Sequence, residues 1–88
     1  MTIQRVAVIG AGTMGAGIAQ VCAQAGWDTN LYDAFPEGLE RGMNRIATFW
    51  EKGIARGKTT PEQRDAWATM LTPVSELAEA VREADLVI

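Results

Sequence analysis

The sequence predicts an α/β fold built around a parallel β-sheet, and three observations predict it. Val6-Ala7-Val8-Ile9 is a short β-branched apolar run that ends abruptly at a glycine. Gly10, Gly12 and Gly15 then form a glycine turn that opens into an apolar pattern of helical period. Thr29, Leu31 and Asp33 follow on the alternating period of a second strand. Strand, turn, helix and strand within about thirty residues make the βαβ unit of a parallel sheet.

Each element has its own justification. Val6–Ile9 is too short for a helix and too continuous for a half-exposed strand, so cover on both faces is expected. Met14, Ile18, Val21, Cys22 and Ala25 recur at helical spacing, and Gly26 stands where a C-terminal helix glycine belongs. Beyond Pro36, the residues Leu39, Met43, Ile46, Trp50 and Ile54 fall on one face of a long amphipathic helix that stops at Gly57. Thr60-Pro61-Glu62-Gln63 predicts a new helix, with Thr60 as N-cap, Pro61 at the first helical position and Gln63 closing a capping box. Ala66, Trp67, Met70 and Leu71 supply its apolar face. Thr72-Pro73-Val74 can hold a short strand, Ser75 can cap a helix carrying Leu77, Ala78 and Val81, and Asp85-Leu86-Val87-Ile88 begins another buried strand. No internal repeat, low-complexity tract or linker is present. A parallel sheet whose last strand has barely begun leaves edges and apolar faces uncovered, so the sequence reads as part of a longer protein.

Composition narrows the function. With 88 residues the chain makes one small domain at most, and 48% hydrophobic content is ordinary for a globular one. The 8 basic and 11 acidic residues are interspersed, for a net charge of −3. No basic stripe follows a nucleic acid and no polybasic cluster meets a membrane surface, so neither partner is expected. No uncharged apolar run reaches the ~20 residues of a spanning helix. Met1-Thr2-Ile3-Gln4-Arg5 runs directly into the first strand pattern, without the regions of a secretory signal. Cys22 is the single cysteine and lies among apolar residues of a helix, which suits a small buried hydrophobe in a reducing, cytoplasmic setting. No metal site is expected. The chain has no histidine, and so lacks the commonest general acid or base near neutral pH.

Gly10, Gly12 and Gly15 match the pattern G-x-G-x-x-G. Alone it is a weak signal; after a strand and at the start of a helix it is the fingerprint of a Rossmann-type dinucleotide site. Gly10 permits the tight turn, Gly12 lets backbone approach a pyrophosphate, and Gly15 lets the helix pack closely on the strand. The N–H groups around Thr13 and Met14 are free donors at a helix N-terminus, where the helix dipole favours an anion. Asp33 lies 18 residues beyond Gly15, at the end of the second strand. A carboxylate there accepts hydrogen bonds from both hydroxyls of the adenosine ribose and repels a 2′-phosphate, and neighbouring Ala34 and Phe35 bring no cation to offset that. The expected cofactor is NAD, held by Gly10, Ala11, Gly12, Thr13, Met14, Gly15 and Asp33. The fold expected is a Rossmann-type doubly wound parallel sheet, truncated after its N-terminal βαβ half and a helical excursion. Residues 1–88 then form a partial NAD-binding domain.

From Val6 to Gln20, and most specifically from Thr13 to Gln20, the sequence resembles the opening of the L-3-hydroxyacyl-CoA dehydrogenases. The likeness continues through Leu31-Tyr32-Asp33, the long helix, Arg56-Gly57-Lys58 and the closing Ala84-Asp85-Leu86-Val87-Ile88. The resemblance implies hydride transfer between NAD and the 3-hydroxyl carbon of an acyl-CoA. It also implies a C-terminal helical domain that forms a homodimer, and a catalytic histidine with its acidic partner well beyond Ile88, so no catalytic residue is assigned here. Lys58 matches a basic residue that helps hold CoA. Glu51 is a departure: a gapless comparison places it where many members carry a serine near the substrate. A carboxylate does not reproduce a hydroxyl contact, which leaves the substrate more open than the cofactor. A lambda-crystallin-like sugar-acid dehydrogenase and a non-catalytic nucleotide-binding module are the alternatives.

Other residues have plainer roles. Trp50 and Trp67 sit on apolar stripes and are expected to pack between two helices rather than against adenine. Trp27, just after Gly26, is expected to cover the sheet edge. Glu37, Glu40, Arg41, Arg45, Glu51, Lys52 and Arg56 make a solvated polar face on the long helix, where Glu37 and Arg41 have i, i+4 spacing.

Overall fold

Strand β1 (Arg5–Ile9) buries Val6, Ala7 and Val8 almost completely, as a strand covered on both faces must. The structure, a computed structural model, describes residues 4–88; the expected direct entry of Met1–Ile3 into β1 lies outside the described residues. Helix α1 (Thr13–Gln24) leads to β2 (Asp28–Tyr32), and the long helix α2 (Pro36–Ala55) and α3 (Pro61–Thr69) lead to β3 (Leu71–Val74). A short helix, α4 (Leu77–Val81), returns the chain to β4 (Leu86–Val87).

The four strands run parallel in the order β3-β2-β1-β4. Register places Val6 beside Thr29, Ala7 beside Asn30 and Val8 beside Leu31. Alternation along the strands then sorts the two faces. Val6, Val8, Leu31 and Leu71 join the core formed with Ala16, Ala19, Cys22 and Ala23 of α1 and Ile46 and Trp50 of α2. Ala7 and Asn30 turn the other way, toward α4, where Asn30 Nδ2 donates to the Ala80 carbonyl at 3.1 Å. Helices therefore cover both faces, and the sheet has the expected doubly wound character. Pro73 pairs with Leu31 on an edge strand, the position a residue without an N–H tolerates.

Several local expectations hold in detail. Trp50 and Trp67 pack with ring centroids 5.8 Å apart, and Trp50 Nε1 donates to Gln24 Oε1 at 3.1 Å. The Thr60–Gln63 capping box is complete: Gln63 N–H donates to Thr60 Oγ1 at 3.1 Å and Thr60 N–H donates to Gln63 Oε1 at 2.9 Å. Gly26 and Gly57 close α1 and α2 with φ of +87° and +72°. Cys22 is buried, and burial pushes its thiol pKa up.

Other expectations are corrected. Helix α1 buries only part of the stripe read from its sequence: Cys22 is buried and Ile18 partly so, but Met14 is 80% exposed and Val21 63%. It buries Ala16, Ala19, Cys22 and Ala23, because only small side chains let a helix approach the sheet this closely. On α3, Ala66 is exposed, Trp67 and Met70 are half-buried, and Leu71 belongs to β3 instead. Ser75 does not cap α4; Glu76 holds the N-cap position without a side-chain bond, and Leu77 is exposed. Strand β4 is not buried, for it lies at the sheet edge with Val87 and Ile88 about half exposed. Trp27 is partly buried against the core. No helix among the described residues is long and apolar enough to cross a membrane.

Candidate functional site

The chain runs outward from β1 to β2 and β3, then crosses back to place β4 on the other side of β1. Ligands of such sheets bind outside the carboxyl ends of the strands, where the winding reverses. The glycine turn stands at the end of β1. Gly10 adopts φ +102°, a region other residues avoid, and its N–H donates to the Tyr32 carbonyl at 2.7 Å. A β-carbon on Gly15 would lie 1.7 Å from the Gly10 carbonyl oxygen, so α1 can start here only on a glycine. Gly12 is different. It is the N-cap of α1 with no side-chain cap bond, and a β-carbon there would meet nothing within 4 Å. The space it leaves open is the space a phosphate group needs to reach the uncapped N–H groups of the first turn.

Asp33 follows the last residue of β2. Its Oδ2 accepts from the Ala11 N–H at 2.8 Å and its Oδ1 from the Phe35 N–H at 2.8 Å. These two bonds, Ala11 first, hold the carboxyl below its ordinary pKa, with a smaller contribution from the Arg41 charge. Each carboxylate oxygen still has a lone pair for a further donor. The carboxylate is thus fixed, ionised and able to receive two hydroxyls.

Helix α2 closes the third side. A β-carbon on Gly38 would lie 3.0 Å from Asp33 Oδ1, and one on Gly42 would lie 2.6 Å from the Ala11 carbonyl oxygen. Ala11, Gly12, Asp33, Phe35, Glu37, Gly38, Arg41 and Arg45 line one open cavity of about 460 Å³. Arg45 Nη1 donates to Thr13 Oγ1 across the gap between α2 and α1.

The structure therefore gathers Gly10, Ala11, Gly12, Thr13, Gly15 and Asp33 around one end of the sheet. Met14 belongs to the same turn of α1, but its side chain points to solvent. Lys58 is not brought to this cavity; it is exposed in the α2–α3 connection, its N–H bonded to the Gly53 carbonyl at 2.9 Å. Glu51 pairs with Arg64 of α3. The polar face of α2 needs correction, since Arg41 and Arg45 line the cavity rather than merely meeting water, and no Glu37–Arg41 ion pair forms among the described residues. Gly38 and Gly42 were not among the residues expected to shape the site. The sequence signal for them was small residues on the buried side of an otherwise large-residue helix.

A doubly wound parallel sheet whose glycine turn and strand-end carboxylate meet at one cavity belongs to the dinucleotide-binding class of α/β domains. Residues 5–88 match the family described as 3-hydroxyacyl-CoA dehydrogenase, NAD binding domain, and the chain belongs to that family. NAD is accordingly its cofactor. The chain is 43% identical over its full length to 3-hydroxyadipyl-CoA dehydrogenase of Escherichia coli K12, of which it covers 18%. It is 40% identical over 75 residues, 85% of its length, to 3-hydroxybutyryl-CoA dehydrogenase of Mycobacterium tuberculosis, of which it covers 26%. Among solved structures, 3-hydroxybutyryl-CoA dehydrogenase of Escherichia coli K12 superposes with a TM-score of 0.92 at 42% identity, covering 99% of this chain and 18% of that one. The chain thus spans less than a third of the relatives it matches.

Proposed function

We propose that the chain forms the NAD-binding part of an oxidoreductase that interconverts L-3-hydroxyacyl-CoA and 3-oxoacyl-CoA. The observation that carries this is the ionised Asp33 carboxylate, fixed beside the open Gly12 and the uncapped start of α1 in one cavity. In this reading Asp33 accepts the adenosine ribose hydroxyls. The backbone of Gly10, Ala11, Gly12, Thr13, Met14 and Gly15 receives the pyrophosphate.

The cofactor, when bound, supplies the hydride acceptor. The 3-hydroxyl carbon gives up a hydride and the hydroxyl a proton, leaving 3-oxoacyl-CoA, NADH and a proton. This chain's residues hold and orient the dinucleotide; none of them is assigned as the base that takes the hydroxyl proton, and the sequence has no histidine. In the same reading Lys58, exposed after α2, meets a CoA phosphate. We place residues 1–88 within a cytoplasmic, homodimeric enzyme of fatty acid metabolism, whose sheet has further strands and which carries a helical domain.

The test is a titration with NADH and with NADPH, read through the three tryptophans, beside Asp33→Ala. Saturable NADH binding that exceeds NADPH binding and weakens in the variant is expected. Equal affinity for the two, or an unchanged Asp33→Ala, would overturn the ribose assignment.

A further inference from the structure

Arg45 is an exposed cation at an electrostatically awkward place. Its guanidinium bonds Thr13 Oγ1 at the first residue of α1, where the helix dipole is already positive. The first turn of α1 has no acidic residue and no side-chain cap to balance that charge. Arg5 and Arg64 have carboxylate partners, whereas no ion pair forms at Arg45 among the described residues. A guanidinium and a helix N-terminus side by side repel one another unless an anion lies between them. The acidic groups on the cavity wall are Asp33, already holding two backbone N–H groups, and Glu37, near the start of α2.

We propose that Arg45 is a binding residue for the pyrophosphate of the dinucleotide, held against the glycine turn by Thr13 and completing the anion site of α1. The proposal rests on the NAD reading given above and adds a side-chain cation to a site otherwise made of backbone. Guanidinium has five N–H donors, and one bond to Thr13 leaves a planar edge for two phosphate oxygens. The Thr13 hydroxyl, accepting from Arg45, keeps its own proton to donate. Gly42 sets the reach, since its backbone rests on Ala11 and places Arg45 one helical turn farther along the same helix.

CoA also carries a pyrophosphate, and Arg45 borders a second groove on α2 with Phe49 and Lys52. The bond to Thr13 turns the guanidinium toward the glycine turn, and the assignment is to the dinucleotide.

The experiment titrates NADH, ADP-ribose and CoA against the wild-type chain, Arg45→Ala, Arg45→Lys and Asp33→Ala, at low and high salt. Arg45→Ala is expected to weaken NADH and ADP-ribose by about tenfold at low salt and to leave CoA unchanged. The difference should narrow at high salt, since the charge is exposed, and Arg45→Lys should keep part of the affinity. Unchanged NADH affinity with a lowered melting temperature would make Arg45 a strap between α1 and α2 and overturn the proposal. Loss confined to CoA would overturn it in favour of the other groove. Wild-type protein that ignores NADH would defeat the cofactor-site reading and this proposal together. NADH binding sensitive to Asp33→Ala but not to Arg45→Ala would defeat this proposal alone.

Discussion

Gly42 of α2 and Ala11 of the glycine turn meet backbone to backbone: a β-carbon at position 42 would stand 2.6 Å from the Ala11 carbonyl oxygen and 2.8 Å from its β-carbon. Both residues are buried. The contact sets how near α2 comes to the turn, and with it where Arg41 and Arg45 stand along the cavity. Gly42→Ala should therefore push the helix outward, at a cost of ~1–3 kcal/mol typical of overpacking. Alanine's better helix propensity acts in the opposite direction by only about 1 kcal/mol. Urea unfolding checks the balance, and a variant as stable as the parent would show that α2 can shift freely.

Gly12 and Gly15 look alike in the motif but answer to different demands. A β-carbon at 15 collides with the Gly10 carbonyl, while one at 12 meets no protein atom within 4 Å and the backbone there has φ −68°. Gly15→Ala should lower stability strongly, by roughly 3 kcal/mol or more, since backbone rather than a flexible side chain must move. Gly12→Ala should leave the melting curve nearly unchanged and weaken NADH binding instead. A Gly12→Ala protein that melts early but still binds NADH normally would reverse this assignment.

These contrasts mark where sequence reading succeeds. The βαβ order, the parallel sheet, the glycine turn and Asp33 were legible because each has a local cause: period, turn chemistry or fixed spacing. The phase of α1 was not, because its largest apolar side chains do not mark its buried face. The close approach forced by Gly15 instead selects the alanine face, leaving Met14 and Val21 outside. Likewise the chain neighbours of Asp33 bring no cation, but the fold brings Arg41 from the second turn of α2. Arg45 meets Thr13 across 32 positions of sequence, a distance no local pattern spans.

The Thr60–Gln63 capping box holds the start of α3 just beyond the exposed Lys58. Thr60→Ala should cost ~1 kcal/mol, the usual loss for an N-cap hydroxyl, and Thr60→Ser should restore most of it. Because α3 buries no residue fully, the loss should appear first as local opening. Hydrogen exchange at the Gln63 amide reads this directly, and protection unchanged in Thr60→Ala would show that the box contributes nothing.

Acid should weaken the fold through two hydrogen-bonded carboxylates, Asp33 and Asp85. The Ala11 and Phe35 N–H groups lower the pKa of Asp33, and the Gln4 and Arg5 N–H groups lower that of Asp85, each at 3.0 Å from Asp85 Oδ2. A carboxyl whose folded pKa lies below its unfolded value of about 3.9 stabilises the fold fully above that value. The contribution is lost as pH falls through the folded pKa, so stability should be flat from about pH 8 to pH 5 and decline below about pH 4. Asp85→Asn removes the charge that ties the start of β1 to the start of β4. It should melt earlier than the parent at neutral pH, and the two curves should converge in acid, where Asp85 of the parent is protonated as well. A constant gap across the whole range would mean that the charge of Asp85 contributes nothing beyond its shape. Asp33 remains ionised throughout the neutral range, so the preference for NADH over NADPH should persist at pH 5 while the fold is intact.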